Sequence, residues 1–300
     1  MEYCQTKRIM WTDITISIFW EEEAEEDIAA VFALFTSLEE ECSRFRSSSV
    51  LSVLNKHWSI VASDRFVEVC KKCKDIYTET QGYFNPLISL RQIGYGADFQ
   101  LNEFKKEDIH PRLDFENFLI QGNILTLQPW QQLDLWGIVK WFAVDRAKEY
   151  LDTHGYKNYI IDAGGDIFLC GQQEAGKRML VGIDSPFIPW DLFATLEVQD
   201  TAIATSGNYR RKWRIDNHDY THIINPLSGM NNNEIISITL VADQCYLADA
   251  YATACIAMGL EKTLAFLERM QMDGVIICAD KRVFTTSGMS QYLLQKVDAS

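Results

Sequence analysis

The sequence lacks a long apolar run. No window of the 300 residues approaches the ~18 consecutive apolar side chains of a membrane-spanning helix. The chain opens with Met1-Glu2-Tyr3-Cys4, and only a short alternating stretch follows Lys7 and Arg8, which is unlike a signal peptide. We therefore expect no membrane span and residence in the cytoplasm.

Basic residues are scarce relative to acidic ones. The 28 Lys and Arg stand against 42 Asp and Glu, which gives a formal net charge of −14. Such a charge repels nucleic-acid phosphates and anionic lipid surfaces, so we expect neither nucleic acid nor a membrane as a partner. A composition of 47% hydrophobic and 23% charged residues is that of a globular protein, which excludes the disordered and fibrous classes.

Recognisable transition-metal motifs are also absent. The five histidines form no H-E-x-x-H or H-x-H pair, and the one Cys-x-x-Cys, Cys70 and Cys73, has no second such pair to complete a zinc site. Both of these thiols fall on the apolar face of a predicted helix. We therefore interpret the eight cysteines as mostly buried thiols in a reducing compartment.

Apolar periodicity predicts a mixed α and β chain. A strand pattern at 11–19 leads into a helix with an apolar stripe from Ile28 to Phe45, and Ser63 is the predicted N-cap of a second helix that stops at Gly82. No linker or repeat interrupts the chain, so we expect residues 1–300 to form a single domain. Further strands are predicted at 158–161, 166–170, 179–183, 235–241 and 274–278, and helices at 138–151, 246–258 and 260–271.

Asp249 and Thr253 are candidate ligands of a hard cation. They lie four residues apart among small residues, so on a helix both oxygens project from one face. A carboxylate, a hydroxyl and a backbone carbonyl suit Mg²⁺, which keeps open positions for phosphate oxygens or water. An aspartate that only bonds a nearby backbone group fits the same spacing, so the pair alone leaves both interpretations open.

Two turns of small residues and one histidine are further candidates. Asp162-Ala163-Gly164-Gly165-Asp166 follows a predicted strand, and its glycines permit a tight turn or close approach to a ligand. The segment 204–209 supplies hydroxyls and N–H groups that suit phosphate, although hairpin turns use the same residues. His222 precedes a short apolar pair and an Asn-Pro turn, where a histidine serves either a site or the packing.

In chain order, these segments resemble the motifs of the ApbE family of flavin transferases over nearly the whole chain. Arg8-Ile9-Met10 with Thr12 is similar to the opening R-x-M-G-T, and Ser43 to Asn55 is similar to F-x-x-x-S-x-L-S-x-L-N. Gly82-Tyr83-Phe84-Asn85-Pro86 resembles G-x-F-D-P, with Asn85 in place of aspartate. Leu133 to Ala147 resembles L-D-L-G-G-I-A-K-G-x-A-V-D. The Ala-Gly-Gly-Asp turn, A-T-S-G-N-Y-R-R, H-I-I-N-P-L-S-G and A-D-A-Y-A-T-A complete the order.

This resemblance implies an α+β fold related to the T-fold, with mixed sheets and packed helices. It also implies a magnesium-dependent FAD:protein FMN transferase. Such an enzyme cleaves the FAD pyrophosphate, attaches FMN through a phosphoester to a threonine of an acceptor flavoprotein and releases AMP. FAD is then a substrate, Mg²⁺ the cofactor and the flavoprotein the partner. Family members are often exported lipoproteins, whereas Cys4 lacks the apolar stretch that precedes a lipobox cysteine.

The resemblance also carries roles for individual residues. Asp249 and Thr253 are implied to bind Mg²⁺ together with a backbone carbonyl near Gly137, and Asp249 thereby takes part in catalysis. His222 is implied to be the general base on the accepting hydroxyl or a polar pocket group. The implied FAD contacts are Met10, Phe45, Asn55, Tyr83, Phe84, Asn85, Asp134, Lys140 and Ile224.

Tryptophan stands where the family has glycine, notably at Trp11, Trp136 and Trp141. Glycine at such positions permits a positive φ or close approach to a ligand, whereas an indole fills the space. We expect every tryptophan to occupy a turn or glycine-like position and none to hold a core slot. We hypothesise that the source organism reads UGA as glycine. The alternative is a divergent homologue with true tryptophans. The eight positions are 11, 20, 58, 130, 136, 141, 190 and 213.

Two other functions compete with FMN transfer. A Mg²⁺-dependent FAD pyrophosphatase would use water in place of the acceptor threonine and release free FMN. A non-catalytic flavin-binding homologue is the function that true tryptophans at 11, 136 and 141 would favour.

Overall fold

The computed structural model describes residues 2–20, 22–87, 114–129, 131–172, 176–209, 212–215, 218–221 and 223–294, without the side chains of 212–220. Its centre is an eight-stranded sheet in which every neighbouring pair is antiparallel. The strand order is β1 (Glu2–Ile9), β2 (Thr12–Phe19), β6 (Tyr159–Ala163), β7 (Ile167–Cys170), β10 (Thr201–Gly207), β13 (Ile235–Ala242), β14 (Asp273–Cys278) and β15 (Val283–Thr285).

Helices cover one face of this sheet. Helix α5, which is buried over almost its whole length, lies against β10 and β13, and α4 packs between α5 and α1. Isoleucines at alternate positions of β2, Ile14, Ile16 and Ile18, point into the core that these helices share. The helices are α1 (Glu25–Cys42), α2 (Val50–His57), α3 (Asp64–Glu79), α4 (Trp136–Thr153), α5 (Cys245–Met258) and α6 (Leu260–Met270).

A second, smaller core lies on the other face. There the hairpin of β8 (Met179–Asp184) and β9 (Leu192–Val198) packs on side chains such as Ile203 and Ile277, which alternate along their strands with residues of the helical side. The sheet is therefore buried on both faces in this region. The remaining strands are β3 (Ser59–Val61), β4 (Leu119–Gln121) and β5 (Ile124–Thr126), which form a small sheet, and the hairpin of β11 (Lys212–Ile215) and β12 (His218–Thr221).

The helix signals are mostly confirmed. The Ser63 hydroxyl accepts a hydrogen bond from the Phe66 N–H, so Ser63 is the N-cap of α3 as predicted. Cys70 and Cys73 are fully buried, and burial raises the pKa of both thiols. No helix in the described ranges combines the length and apolar character that crossing a membrane requires.

Three boundaries differ from the sequence prediction, and the first is the end of α3, which is predicted at Gly82 and lies at Glu79. The sequence predicts that the apolar stripe of α1 continues to Phe45. The helix instead ends at Cys42, because Ser43 takes an extended conformation and the polar segment after it leads into α2. The segment 204–209 was interpreted as a turn, yet β10 continues to Gly207. Residues 204–207 pair with β13, and this pairing outweighs the turn preference of the small residues because it satisfies backbone groups on one edge of the strand.

Candidate active site

One cavity of about 570 Å³ opens where the sheet, α4 and α5 meet. Its walls combine the segment after α3, the start of α4, the β6–β7 turn, the end of β10 and one face of α5. Nine of the residues singled out in the sequence line it, although they come from four separate parts of the chain. They are Tyr83, Phe84, Asn85, Asp134, Gly137, Lys140, Ile224, Asp249 and Thr253.

Helix α5 carries the candidate cation ligands. Asp249 and Thr253 stand one turn apart on it, and both face the cavity. The carboxylate of Asp145, on α4, accepts hydrogen bonds from the N–H groups of Cys245 and Tyr246 at 2.9 and 3.1 Å. Because these are otherwise unpaired donors at the helix start, Asp145 fixes α5 against α4 and so sets the position of Asp249.

The end of β10 forms the wall next to this helix. The Ser206 hydroxyl lies 3.1 Å from the Thr253 hydroxyl. The Thr205 N–H donates to the Asp166 carboxylate at 2.7 Å, which ties β10 to the turn after β6. That turn needs its two glycines, since Gly164 and Gly165 have φ of 78° and 97° and a Cβ on Gly164 would overlap Thr12.

Three buried carboxyl groups line the cavity, and two of them, Asp166 and Asp249, have a strongly raised pKa. Burial raises the pKa of Asp166 to about 7, while the charge of Lys140 and the Thr205 N–H act in the opposite direction. Burial, reinforced by the nearby Asp166, raises the pKa of Asp249 well above its ordinary value. Lys140 favours the charged form of both groups.

The donor set fits a hard cation. The two buried carboxylates of Asp166 and Asp249 and the Thr253 hydroxyl are oxygen donors of the kind that Mg²⁺ prefers, and a cation would offset the cost of ionising both carboxyls. In the part of the chain that the structure describes, no three His, Cys, Asp or Glu side chains are grouped as a complete metal site. A cation at this place would therefore also need backbone, water or phosphate oxygens.

An aromatic turn lines another wall. After α3 ends, the Thr80 hydroxyl accepts a hydrogen bond from the Phe84 N–H at 3.0 Å and holds the turn in place. The Tyr83 hydroxyl accepts a hydrogen bond from Lys262 of α6. Asn85 bonds the Leu87 N–H through its side-chain oxygen at 3.0 Å, which is the local bond that an aspartate would also make.

Asp134 joins this wall to α4. Its carboxylate pairs with Arg44 and accepts a hydrogen bond from the Trp136 N–H at 3.0 Å, which satisfies a donor of the first turn of α4. The side chains of Arg44 and Asp134 are only 12% and 7% exposed. Gly137 and Lys140 follow within the first two turns and present backbone and charge to the cavity.

Three predicted flavin contacts lie outside this lining. Met10 is in the β1–β2 turn, where its N–H donates to Glu39, and Phe45 packs edge-on between Trp11 and Trp136. Both ends of the Asn55 amide bond the backbone of Leu133 at 2.8 Å. Asn55 therefore anchors the segment that carries Asp134. The roles of these three residues in binding FAD stay predictions. His222 lies outside the described residues.

The sequence analysis did not name Asp166 or Ser206 as site residues. Both belong to segments that it had singled out, the 162–166 turn and the 204–209 stretch, so the signal was present in the motifs. The sequence does not reveal the antiparallel pairing that brings the ends of β6 and β10 beside α5. These segments are far apart along the chain, so their closeness in space could not be predicted from spacing.

The tryptophans are only partly placed as predicted. The prediction that no tryptophan holds a core slot is wrong for Trp141, which lies within α4 with an exposed fraction of 3% and packs in the main core. Helix α4 is covered by α1 and α5, so a side chain at the cavity end of it is enclosed. The Lys140 ammonium lies 3.5 Å from the Trp141 ring centre, and the Trp141 side chain hydrogen-bonds to Asp249. Trp130 lies outside the described residues.

Comparisons with known proteins agree with this architecture. The model of the ApbE family matches residues 10–277. A Vibrio cholerae FAD:protein FMN transferase is 30% identical over 86% of this chain and 80% of its own length, and a Treponema pallidum protein of the same name is 27% identical over 96% and 88%. The solved structure of a Vibrio cholerae flavin transferase ApbE covers 98% of this chain and 99% of its own with a TM-score of 0.85 at 25% identity. The chain therefore belongs to the ApbE family and has the α+β fold of that family.

Proposed function

We propose that this chain is a magnesium-dependent FAD:protein FMN transferase that acts on a threonine of an acceptor flavoprotein. The observation that carries the proposal is the convergence of Asp249, Thr253 and Lys140 with the aromatic turn at Tyr83 and Phe84 in one cavity. A charged dinucleotide needs both kinds of wall, because its pyrophosphate requires positive charge and its rings require apolar faces. The names of the curated relatives give the same activity.

The proposed reaction replaces a phosphoanhydride bond of FAD with a phosphoester bond to the acceptor. The acceptor threonine oxygen forms a bond to the phosphorus on the FMN side of the pyrophosphate. The bond from that phosphorus to the bridging oxygen breaks, and the bridging oxygen leaves with the electron pair as part of AMP. The hydroxyl proton passes to a base, for which we propose His222.

The chain's own residues position the substrate and stabilise charge. Asp249 and Thr253 would hold the cation, with the Gly137 carbonyl as a proposed third oxygen. When bound, Mg²⁺ supplies charge neutralisation at the pyrophosphate and the departing AMP. Lys140 adds a fixed positive charge beside both buried carboxyls. Tyr83 and Phe84 would stack on a ring of FAD, and Ile224 gives the pocket an apolar side.

One observation favours the non-catalytic alternative for the sequence as written. The Trp141 indole contacts both Lys140 and Asp249, the two groups that the proposed transfer reaction needs for phosphate and cation. A protein with that side chain would bind the flavin end of FAD without bringing its pyrophosphate to Asp249.

Incubation of the protein with FAD, Mg²⁺ and a candidate threonine-bearing acceptor tests the proposal. Flavin fluorescence that stays with the denatured acceptor, and is absent when the acceptor threonine is replaced by valine, supports transfer. Free FMN and AMP without a labelled acceptor would instead identify a pyrophosphatase. FAD binding with no turnover would identify a flavin-binding protein.

Location and domain organisation are part of the same proposal. We place the protein in the cytoplasm, which its eight unpaired cysteines support because such thiols persist in reducing compartments. Residues 1–300 would act as one domain, since the central sheet joins strands from both ends of the chain.

A further inference from the structure

Three tryptophans have backbone conformations that strongly favour glycine. Trp11, Trp58 and Trp190 have φ of 60°, 62° and 66°. In this region the Cβ of an L-residue crowds the backbone, and a bulky side chain is a clear outlier. Five other non-glycine residues in the described ranges share a positive φ, so the conformation alone does not identify glycine. The chain has only eight tryptophans, and three of them have a positive φ. That high proportion for a bulky residue calls for an explanation.

The first of these positions is a tight hairpin turn. Ile9 pairs with Thr12, so Met10 and Trp11 form the two-residue loop between β1 and β2, and both have positive φ. This is the pattern of a type I′ turn, whose second central residue is most often glycine. The Trp11 side chain is 48% exposed, so little burial compensates for the strain.

The other two positions are turns of different kinds. Trp58 is the left-handed residue that ends α2, and its N–H bonds the Leu54 carbonyl at 2.7 Å; glycine is the residue usual at such a helix end. Trp190 follows Pro189, and the Asp191 N–H points to the Ile188 carbonyl at 3.4 Å. Proline followed by a residue of positive φ is the sequence of a type II turn, which requires glycine or asparagine at the Trp190 position. The Trp190 side chain is fully exposed.

Two further tryptophans stand in the cavity. Trp136 and Trp141 both line it, and Trp141 engages Asp249 and Lys140 directly. Glycine at 141 would remove both contacts and leave the carboxylate and the ammonium to the ligand. It would also let a ligand approach the α4 backbone, which an indole prevents.

We propose that the native protein carries glycine at positions 11, 58, 136, 141 and 190, because the source organism reads UGA as glycine. Three of the five positions are turns of different types, and the other two line the cavity. Reading one codon as glycine instead of tryptophan accounts for all five. A codon is read alike throughout a gene, so the proposal extends to every tryptophan that UGA encodes. Eight glycines added to the sixteen present make 24 of 300 residues, close to the usual share of about 7%.

Peptide mass spectrometry on the protein purified from its own organism tests this proposal. We expect glycine in the peptides that contain positions 58, 136 and 141, and UGA at each of these codons in the gene. Tryptophan in any of these native peptides, or UGG at these codons, would overturn the proposal. Neither result depends on whether the protein transfers FMN, so failure here is distinct from failure of the proposed function.

Recombinant variants give a second, independent readout. Trp58→Gly and Trp190→Gly are expected to raise the melting temperature, because each relieves a left-handed backbone without removing a buried contact. Phe187→Gly is the matched control. This aromatic side chain is 38% exposed and lies three residues before Trp190, but its φ is not positive, so glycine there only adds freedom to the unfolded chain and is expected to lower the melting temperature. A lower melting temperature for Trp58→Gly and Trp190→Gly would contradict the structural argument.

Discussion

The hydroxyl of Ser206, at the end of β10, lies 3.1 Å from the hydroxyl of Thr253 on α5. A hydroxyl that binds a cation through its oxygen must donate its proton elsewhere, and Ser206 is placed to accept it. In that arrangement Ser206 orients Thr253 without touching the ion itself. Groups that orient metal ligands in this way often matter nearly as much as the ligands.

Replacing Ser206 by alanine is therefore expected to weaken Mn²⁺ binding about tenfold, with Mn²⁺ used as a spectroscopic probe for Mg²⁺. Electron paramagnetic resonance of free Mn²⁺ gives the affinity without any catalytic assay. Thr239→Val is the control, since Thr239 pairs with Thr205 on the opposite face of the same strand pair and does not line the cavity. Equal affinities of Ser206→Ala and the parent protein would refute the role of Ser206.

Asp249→Asn should lower FMN transfer on the order of a hundredfold or more, because several kcal/mol of charge stabilisation depend on the cation. The same change should raise the melting temperature of the metal-free protein at neutral pH, since it removes a buried carboxyl that resists ionisation. Asp243→Asn, an exposed change just before α5, should alter neither quantity. Loss of stability together with loss of activity would mean that Asp249 has a structural role.

The stability of the metal-free protein should depend on pH through Asp166. Burial raises the pKa of this carboxyl from 3.8 to about 7. Between these values the folded protein keeps a proton that the unfolded chain has lost, so the free energy of unfolding falls as the pH rises. We expect a fall of a few kcal/mol between about pH 5 and about pH 8 in urea titrations, and a smaller fall in Asp166→Asn. An equally steep fall in that variant would exclude Asp166 as the source.

The pair of Arg44 and Asp134 should be important for stability as well as for the site. Because both side chains are largely buried, Arg44→Met would leave the Asp134 carboxylate without its partner and cost about 3 kcal/mol of unfolding free energy. FAD affinity should fall as well, since Asp134 holds the start of α4 at the cavity. Arg8→Met, which breaks an exposed pair with Asp13, should change neither. Equal effects of the two variants in urea unfolding would contradict this account.

Local signals in the sequence predicted much of the fold. The cap at Ser63 and the alternation of β2 depend on neighbouring residues alone, and both are confirmed. The helical spacing of Asp249 and Thr253 likewise placed the two side chains on one face. Features set by distant contacts were harder to predict. Phe45 continued the apolar period of α1, yet the extended backbone at Ser43 ends the helix before it.

The candidate site shows the same division. Tyr83, Asp134 and Lys140 were found through motifs, and the structure brings them to one cavity. Asp166 reaches that cavity only because β7 and β10 pair, a relationship that spacing along the chain does not encode. The burial of Trp141 depends on helices α1 and α5, which come from distant segments.

The central claim is that Asp249 and Thr253 support transfer of FMN to a protein hydroxyl. A single-turnover experiment with FAD, Mg²⁺ and the acceptor flavoprotein tests it most directly. AMP and covalently labelled acceptor are quantified together for the protein with glycine at positions 11, 58, 136, 141 and 190 and for its Asp249→Asn variant. The account predicts equal amounts of AMP and FMN-labelled acceptor from the first protein, and neither product from the variant in the same time. Labelling by the variant at an undiminished rate, or AMP release without any labelled acceptor, would contradict it.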